Sequence, residues 1–223
     1  MKEKILLRTL CCLFVAIMAC GTALAQNRLL TPPQYKGPIA PMAPDAPAAA
    51  PFYSNLVVNT CTACNYDTNN GYFILGPNNC FAPGATQWIS YPFVAGHTGV
   101  VRSVQLAITQ DTAICTGTST KFTVAIYSDA CTGTPGTQIG NSAIATAPAA
   151  PCLLARASFG TTGPALTAGT TYWVVVTTST ASNQMGTTAV WWEANSAPAP
   201  YNLNDGNGWQ AFYPASPGGF AVL

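Results

Sequence analysis

Apolar and polar positions alternate along the second half of the chain. In residues 103–109 and 121–127, apolar side chains occupy the even positions. Successive side chains of a strand point to opposite faces, so a period of two indicates a strand that is buried on one side. Residues 171–177 have apolar side chains at both odd and even positions, which predicts a central strand that is buried on both faces.

A further strand is predicted at residues 189–193, with Val190 and Trp192 on its inward face. Weaker strands are predicted at residues 71–75, 87–94, 138–145, 153–159, 209–213 and 219–223. Turn-forming Gly, Asn and Pro residues separate these segments, and sustained helical periodicity is absent after the N-terminal region. The pattern predicts an all-β domain over residues 52–223, an antiparallel β-sandwich of jelly-roll-like type.

The N-terminus has the pattern of an export signal. Basic residues precede an apolar run over residues 10–19, which is too short to span a bilayer as a helix. Ala23-Leu24-Ala25 then provides small residues at the cleavage positions. We predict a signal peptide over residues 1–25 and a mature chain that starts at Gln26. The alternative is lipidation of Cys20, which lies in a degenerate lipobox.

Residues 26–51 are rich in proline and alanine. Proline lacks a backbone donor and fixes φ, so the segment favours extended conformations over packed elements. Two interpretations remain open, a spacer that holds the domain away from a surface and a disordered N-terminal tail.

Six cysteines remain after removal of the signal peptide, and an even number in an exported chain predicts disulfides. They are Cys61, Cys64, Cys80, Cys115, Cys131 and Cys152. If the strands at 103–109, 121–127 and 138–145 alternate in direction, Cys115 and Cys152 lie at the same end of the sandwich. We predict a Cys115–Cys152 bridge, with Cys131 joined to Cys61, Cys64 or Cys80.

Charged residues make up 7% of the chain. The five basic and six acidic residues beyond position 25 nearly cancel, and no basic patch is present. We therefore expect that the protein does not bind nucleic acids. The sequence predicts no cofactor and no transmembrane segment in the mature chain.

Several segments resemble a known family when taken in their order. They are Ser103–Thr109, Phe122–Asp129, Gly133–Gly136, Leu166–Trp173, Trp191-Trp192 and Gly218–Val222. In this order they are similar to the bacterial extracellular "choice-of-anchor" domains, most closely those of the R class. The resemblance covers roughly residues 69–223 and implies an exported β-sandwich without an established activity.

Residues that could support catalysis or metal binding are few. His97 is the single histidine and lies in a glycine-flanked loop, where a solvated ring is expected. The carboxylates considered for glycoside hydrolysis are Asp111, Asp129, Glu193 and Asp205, of which Glu193 follows two tryptophans. Cys61 and Cys64 form a C-x-x-C pair that we interpret as two structural half-cystines. Residues 202–208 resemble a calcium loop but are interpreted as a hairpin turn, so no metal is predicted.

The aromatic residues suggest a binding role. Trp191 and Trp192 are neighbours on a strand and must face opposite ways. Trp191 is taken as the outward one, and packing under a covering loop is favoured for it over an exposed ring that stacks on a sugar. Trp191, Tyr201 and Trp209 are the candidate ligand-binding residues. The predicted function is a non-catalytic exported domain with a structural or interaction role, secreted or periplasmic and associated with the cell surface. The alternative is a carbohydrate-binding module, and a weaker alternative is a glycan hydrolase; the expected partners are a polysaccharide or another surface protein.

Overall fold

The alternating segments of the chain form antiparallel strands. The computed structural model describes residues 50–56, 64–68, 70–77, 79, 84–110, 120–150, 152–178, 189–194 and 199–223, which contain no helix and belong to one unit, Thr31–Leu223. The predicted signal peptide, Cys20, Gln26 and nearly all of the linker lie outside the described residues. None of the described segments is a helix of the length and hydropathy that a bilayer crossing requires.

Strand bounds agree closely with the apolar segments. The strands are β1 Tyr53–Ser54, β2 Gly71–Ile74, β3 Trp88–Val94, β4 Gly99–Val100, β5 Ser103–Leu106, β6 Ile108–Gln110, β7 Lys121–Asp129, β8 Pro135–Thr146, β9 Ala155–Ser158, β10 Ala165–Leu166, β11 Thr171–Thr177, β12 Ala189–Trp192, β13 Ala199–Asn204, β14 Trp209–Ala215 and β15 Phe220–Val222.

One layer is a six-stranded sheet in the order β14-β13-β3-β11-β7-β8. All of its pairs are antiparallel, and the register places Val174 of β11 opposite Tyr91 of β3 and Ile126 of β7. These three positions share one face of the sheet and are fully buried. The apolar run at residues 171–177 is therefore the central strand that its sequence predicts.

The other layer is built around residues 103–110. β5 pairs with β15 and β9, whereas β6 pairs with β12, which in turn pairs with β2. The partner changes at Ala107, whose N–H donates to the Gly219 carbonyl while its own carbonyl accepts from the Trp192 N–H, both at 2.8 Å. One interrupted strand thus joins the four-stranded order β1-β15-β5-β9 to the three-stranded order β2-β12-β6.

Aromatic side chains fill the space between the layers. Tyr91 of the six-stranded sheet contacts Trp191 and Phe220 of the other layer, at ring-centroid distances of 4.7 and 6.4 Å. The side chains at the alternate positions of β3, such as Ser90, therefore point to the outer face of the six-stranded sheet. The two layers form an antiparallel β-sandwich, and the predicted fold class is confirmed.

A disulfide joins Cys64 to Cys152, 88 residues apart in sequence with Cα atoms 5.0 Å apart. Cys64 precedes β2, and Cys152 lies in the connection that leads from β8 of one layer to β9 of the other. The nearby Tyr66 hydroxyl donates to the Leu153 carbonyl at 3.1 Å, which holds the same two segments together.

The predicted Cys115–Cys152 bridge is therefore wrong. That prediction compared only loops near each other in sequence, whereas the sheet order brings in a partner from before β2. Cys131 is a free, exposed cysteine, so the prediction of a bridge from Cys131 is also wrong. Cys61, Cys80 and Cys115 lie outside the described residues.

Candidate functional site

The interior aromatic cluster comprises Tyr72, Tyr91, Trp191, Tyr201 and Phe220. Tyr72 and Tyr201 have ring centroids 4.7 Å apart, and Tyr91 lies 5.9 Å from Tyr201. The strands β2, β3, β12, β13 and β15 each contribute one ring, and edge-to-face contacts such as Tyr91–Trp191 are favourable for aromatic pairs.

Trp191 is 0% exposed and is the centre of this cluster. Its indole Nε1 donates to the Gly219 carbonyl at 3.0 Å. A Cβ at Gly218 would lie 2.5 Å from that indole, so a glycine is required for the close approach. The sequence-based assignment of Trp191 as the outward ring, with Val190 and Trp192 inward, is wrong.

The reason is that β12 is covered on both faces. Trp192 points away from the interior cluster, yet it is also buried, and its Nε1 donates to Thr109 Oγ1 at 2.7 Å. Hydrophobicity alone could not distinguish the two faces. Tyr201 is also buried, with 8% of its surface exposed, and belongs to the interior cluster. Neither Trp191 nor Tyr201 therefore offers a ring face to a ligand in this structure.

Glu193 lies at the rim of the interior cluster, just after β12. Burial raises the pKa of its carboxyl above the usual range, and repulsion from Asp67 acts in the same direction; hydrogen bonds from Ser216 and Tyr72 oppose the shift. The Asp67 N–H donates to the Glu193 carbonyl at 2.9 Å, which brings the two residues together. Sequence reasoning missed Asp67 because it belongs to a segment without any local motif.

A second constellation, the outer patch, comprises Trp88, Ser90, Asn202, Asn204 and Trp209. Asn204 of β13 is paired with Trp88 of β3 on one side and Trp209 of β14 on the other. Asn202 is paired with Ser90 in the next row. All five positions alternate with interior ones, so they share the outer face of the six-stranded sheet. Trp209 is thus the predicted binding residue that reaches an outer face.

Unpaired polar atoms are concentrated in the outer patch. Five buried side-chain polar atoms of the described residues have no hydrogen-bond partner, and three of them belong here: Trp88 Nε1, Ser90 Oγ and Asn202 Oδ1. The other two belong to Tyr91 and Ser103. Buried polar groups in proteins are normally paired, and the exceptions require an explanation.

The loop over residues 130–134, between β7 and β8, lies over this face. The Asn202 Nδ2 group donates to the Gly133 carbonyl at 2.8 Å, although β13 and β7 are separated by two intervening strands. At the base of the loop, Trp173 Nε1 donates to Asp129 Oδ1 at 3.0 Å. The free Cys131 lies in the loop and adopts a left-handed conformation with φ of 60°.

The tip of the β13–β14 hairpin is a self-bonded turn. Asn204 Oδ1 accepts from the N–H groups of Gly206 and Gly208, and Asp205 Oδ1 accepts from that of Asn207. These bonds account for the calcium-like composition of residues 202–208. In the described part of the chain, no three His, Cys, Asp or Glu side chains are placed to hold a metal ion.

The remaining candidate residues belong to neither constellation. The His97 ring stacks on Phe52 with a centroid distance of 4.0 Å. Asp129 is bonded to Trp173, and Asp111 lies outside the described residues. Of the C-x-x-C pair, Cys64 is a half-cystine as predicted and Cys61 lies outside the described residues.

The fold and the two constellations define a disulfide-linked β-sandwich with an aromatic interior and a tryptophan–asparagine patch on its outer face. No family model matches the chain, and no curated protein is similar to it at a significant level.

Proposed function

We propose that the chain is an exported, non-catalytic interaction domain that acts at the bacterial cell surface or in the periplasm. The predicted leader and the Cys64–Cys152 disulfide support export, because disulfides persist in oxidising compartments. The sequence suggests either a structural or an interaction role, and we propose the interaction role.

The observation that carries the proposal is the outer patch. Two partly exposed tryptophans flank Asn204 in one row across three strands. Tryptophan is enriched at contact surfaces because it combines a large apolar ring with a donor. An apolar ring at both ends of an uncharged row favours a binding surface over an ordinary solvated one.

Cosedimentation tests this proposal. The full chain is expressed with its own leader, collected from the exported fraction, and mixed with envelopes of the cells that produce it. Intact mass is expected to correspond to a chain that starts at Gln26; a lipid adduct on Cys20 would overturn that part. Wild-type protein is expected to sediment with the envelopes and Trp88→Ala/Trp209→Ala to remain in solution. Tyr127→Ala, on the same face but on β7, is the matched control; wild-type protein that stays in solution would overturn the proposal.

Glycan hydrolysis is a second candidate function, favoured by one observation. Burial raises the pKa of the Glu193 carboxyl, Asp67 is close to it, and a pair of carboxyl groups supplies the acid and base of most glycosidases. Turnover of a glycan panel by the wild type that is lost in Glu193→Gln would support hydrolysis. Absence of turnover in the wild type would leave binding as the function.

A further inference from the structure

We infer that the outer patch binds a neutral polysaccharide, with Trp88 and Trp209 as stacking platforms and the unpaired atoms beneath as hydroxyl partners. The inference rests on the proposed function and names the ligand class of the same surface. It differs from the sequence-based hypothesis in its residues, since Trp191 and Tyr201 belong to the interior.

The spacing of the two tryptophan rings supports a sugar ligand. Trp88 and Trp209 are two strand separations apart, about 10 Å between their backbones. Asn204 lies between them, and its Oδ1 is held by the turn, so its Nδ2 group is the donor left for a ligand. The C–H faces of a pyranose ring are apolar and pack on indole, while its hydroxyls bond a neighbouring amide.

The unpaired polar atoms include both donors and acceptors, which also supports a sugar ligand. Trp88 Nε1 is only a donor, Asn202 Oδ1 is only an acceptor, and Ser90 Oγ can be either. A carboxylate can only accept and an ammonium group can only donate, so neither satisfies the whole set. Hydroxyl groups do both, and a sugar presents several of them on neighbouring carbons.

The charge around the patch supports a neutral ligand. The strands that carry the patch, β3, β13 and β14, contain no charged residue. An anionic ligand would lose hydration here without gaining an opposite charge, because the charged residues beside the patch, Asp129 and Asp205, are acidic. A neutral glycan incurs no such cost, which separates it from acidic polysaccharides and from peptides that bind through their carboxylates.

Access to the buried atoms depends on the loop over residues 130–134. Ser90 and Asn202 are fully buried, and the contact from Asn202 to the Gly133 carbonyl is part of their cover. When this contact opens, a ligand hydroxyl reaches the buried atoms and accepts from Asn202 Nδ2 in place of the Gly133 carbonyl. The exposed Cys131 in the loop can therefore report binding when it carries an environment-sensitive fluorophore.

A glycan array with neutral and acidic members tests the inference on the full exported chain. We expect saturable binding to neutral glycans and a loss of at least about tenfold in Trp88→Ala/Trp209→Ala, as for removal of central aromatic contacts. Tyr127→Ala should bind as the wild type does, and the fluorophore on Cys131 should respond to the bound glycan. Preference for acidic glycans, or binding that survives loss of both tryptophans, would overturn the inference; so would no binding at all, in which case the unpaired atoms hold only water.

Periodate treatment of the envelopes separates the two proposals, because periodate cleaves vicinal diols of sugars and leaves the peptide backbone intact. Sedimentation that depends on Trp88 and Trp209 and disappears after periodate supports both. Sedimentation that depends on the tryptophans but survives periodate overturns the polysaccharide and preserves the interaction domain. Wild-type protein that binds the array but not untreated envelopes would overturn the proposed surface role and preserve the glycan site.

Discussion

The two faces of strands β3 and β13 differ in how far their polar atoms are paired by hydrogen bonds. On the interior side, Tyr91 and Tyr201 pack among aromatic rings, and the Trp191 indole at the centre bonds the Gly219 carbonyl. On the outer side, Ser90 and Asn202 lie opposite each other with polar atoms unpaired. The Trp191 donor is satisfied by the protein itself, and in the interior cluster of the described residues a single polar atom, the Tyr91 hydroxyl, is unpaired, whereas three polar atoms of the outer patch have no partner. The first face therefore contributes to stability, and the second is the one that we propose for binding.

The largest effect is expected from the Cys64–Cys152 disulfide, which joins the segment before β2 to the connection between β8 and β9. Cys64→Ala/Cys152→Ala opens a loop of 88 residues and should lower the free energy of unfolding by about 4.6 kcal/mol in the chain-entropy model. Cys131→Ser is the matched control, because that cysteine is free and exposed, and its effect should stay within about 0.5 kcal/mol. Urea unfolding measures both, and equal effects would contradict the assignment of the bridge.

The next largest effect is expected from loss of Trp191, and a much smaller one from loss of Trp209. Trp191→Ala removes a fully buried ring and should cost about 3 to 5 kcal/mol, or prevent folding. Trp209→Ala removes a partly exposed ring from an edge strand and should cost below about 1 kcal/mol. If Trp191→Ala does not fold, Trp191→Phe supplies the measurement in thermal unfolding. A larger loss at Trp209 than at Trp191 would reverse the roles of the two faces.

Two buried hydroxyls sharpen the contrast. Thr109 Oγ1 accepts from Trp192 Nε1, so Thr109→Val leaves a buried donor unpaired and should cost about 1 to 3 kcal/mol. Ser90 Oγ has no partner, so Ser90→Ala should be neutral or stabilising. Denaturant midpoints at a constant slope give both values. A loss at Ser90 as large as that at Thr109 would mean that its hydroxyl is already satisfied.

Local patterns in the sequence predicted most of the fold. Each segment with period-two alternation or continuous apolar character became a strand, because burial of one or both faces decides strand formation more than any single residue does. β13 was missed. Its Pro200 and the asparagines at positions 202 and 204 are typical of turns, and only pairing with β3 makes this segment a strand.

The site was harder to predict, because it depends on registers between distant segments. Trp88, Asn204 and Trp209 form a row only once β3, β13 and β14 are aligned, and no sequence spacing encodes that alignment. The prediction of the Trp191 orientation was wrong for a related reason. Because β12 is buried on both faces, it lacks the polar alternation that would have marked an outward side. The bridge from Cys152 to Cys64 likewise required the sheet order.

The smallest expected effect belongs to Glu193, at the rim of the interior cluster. Burial raises the pKa of this carboxyl above its ordinary value of 4.5, so the folded protein binds the proton more tightly than the unfolded chain does. The stabilisation that results is complete below the ordinary pKa and is lost as the pH rises through the folded-state pKa. Glu193→Gln does not titrate, and its amide carbonyl can still accept from Tyr72 and Ser216. The melting temperature of this variant relative to wild type should therefore increase between about pH 4 and pH 7. Asp205→Asn, in the exposed hairpin tip, makes the same charge change and corrects for net charge. A difference at Glu193 that stays constant with pH after this correction would show that its carboxyl is hydrated like a surface group, and the interior would then not be closed at this rim.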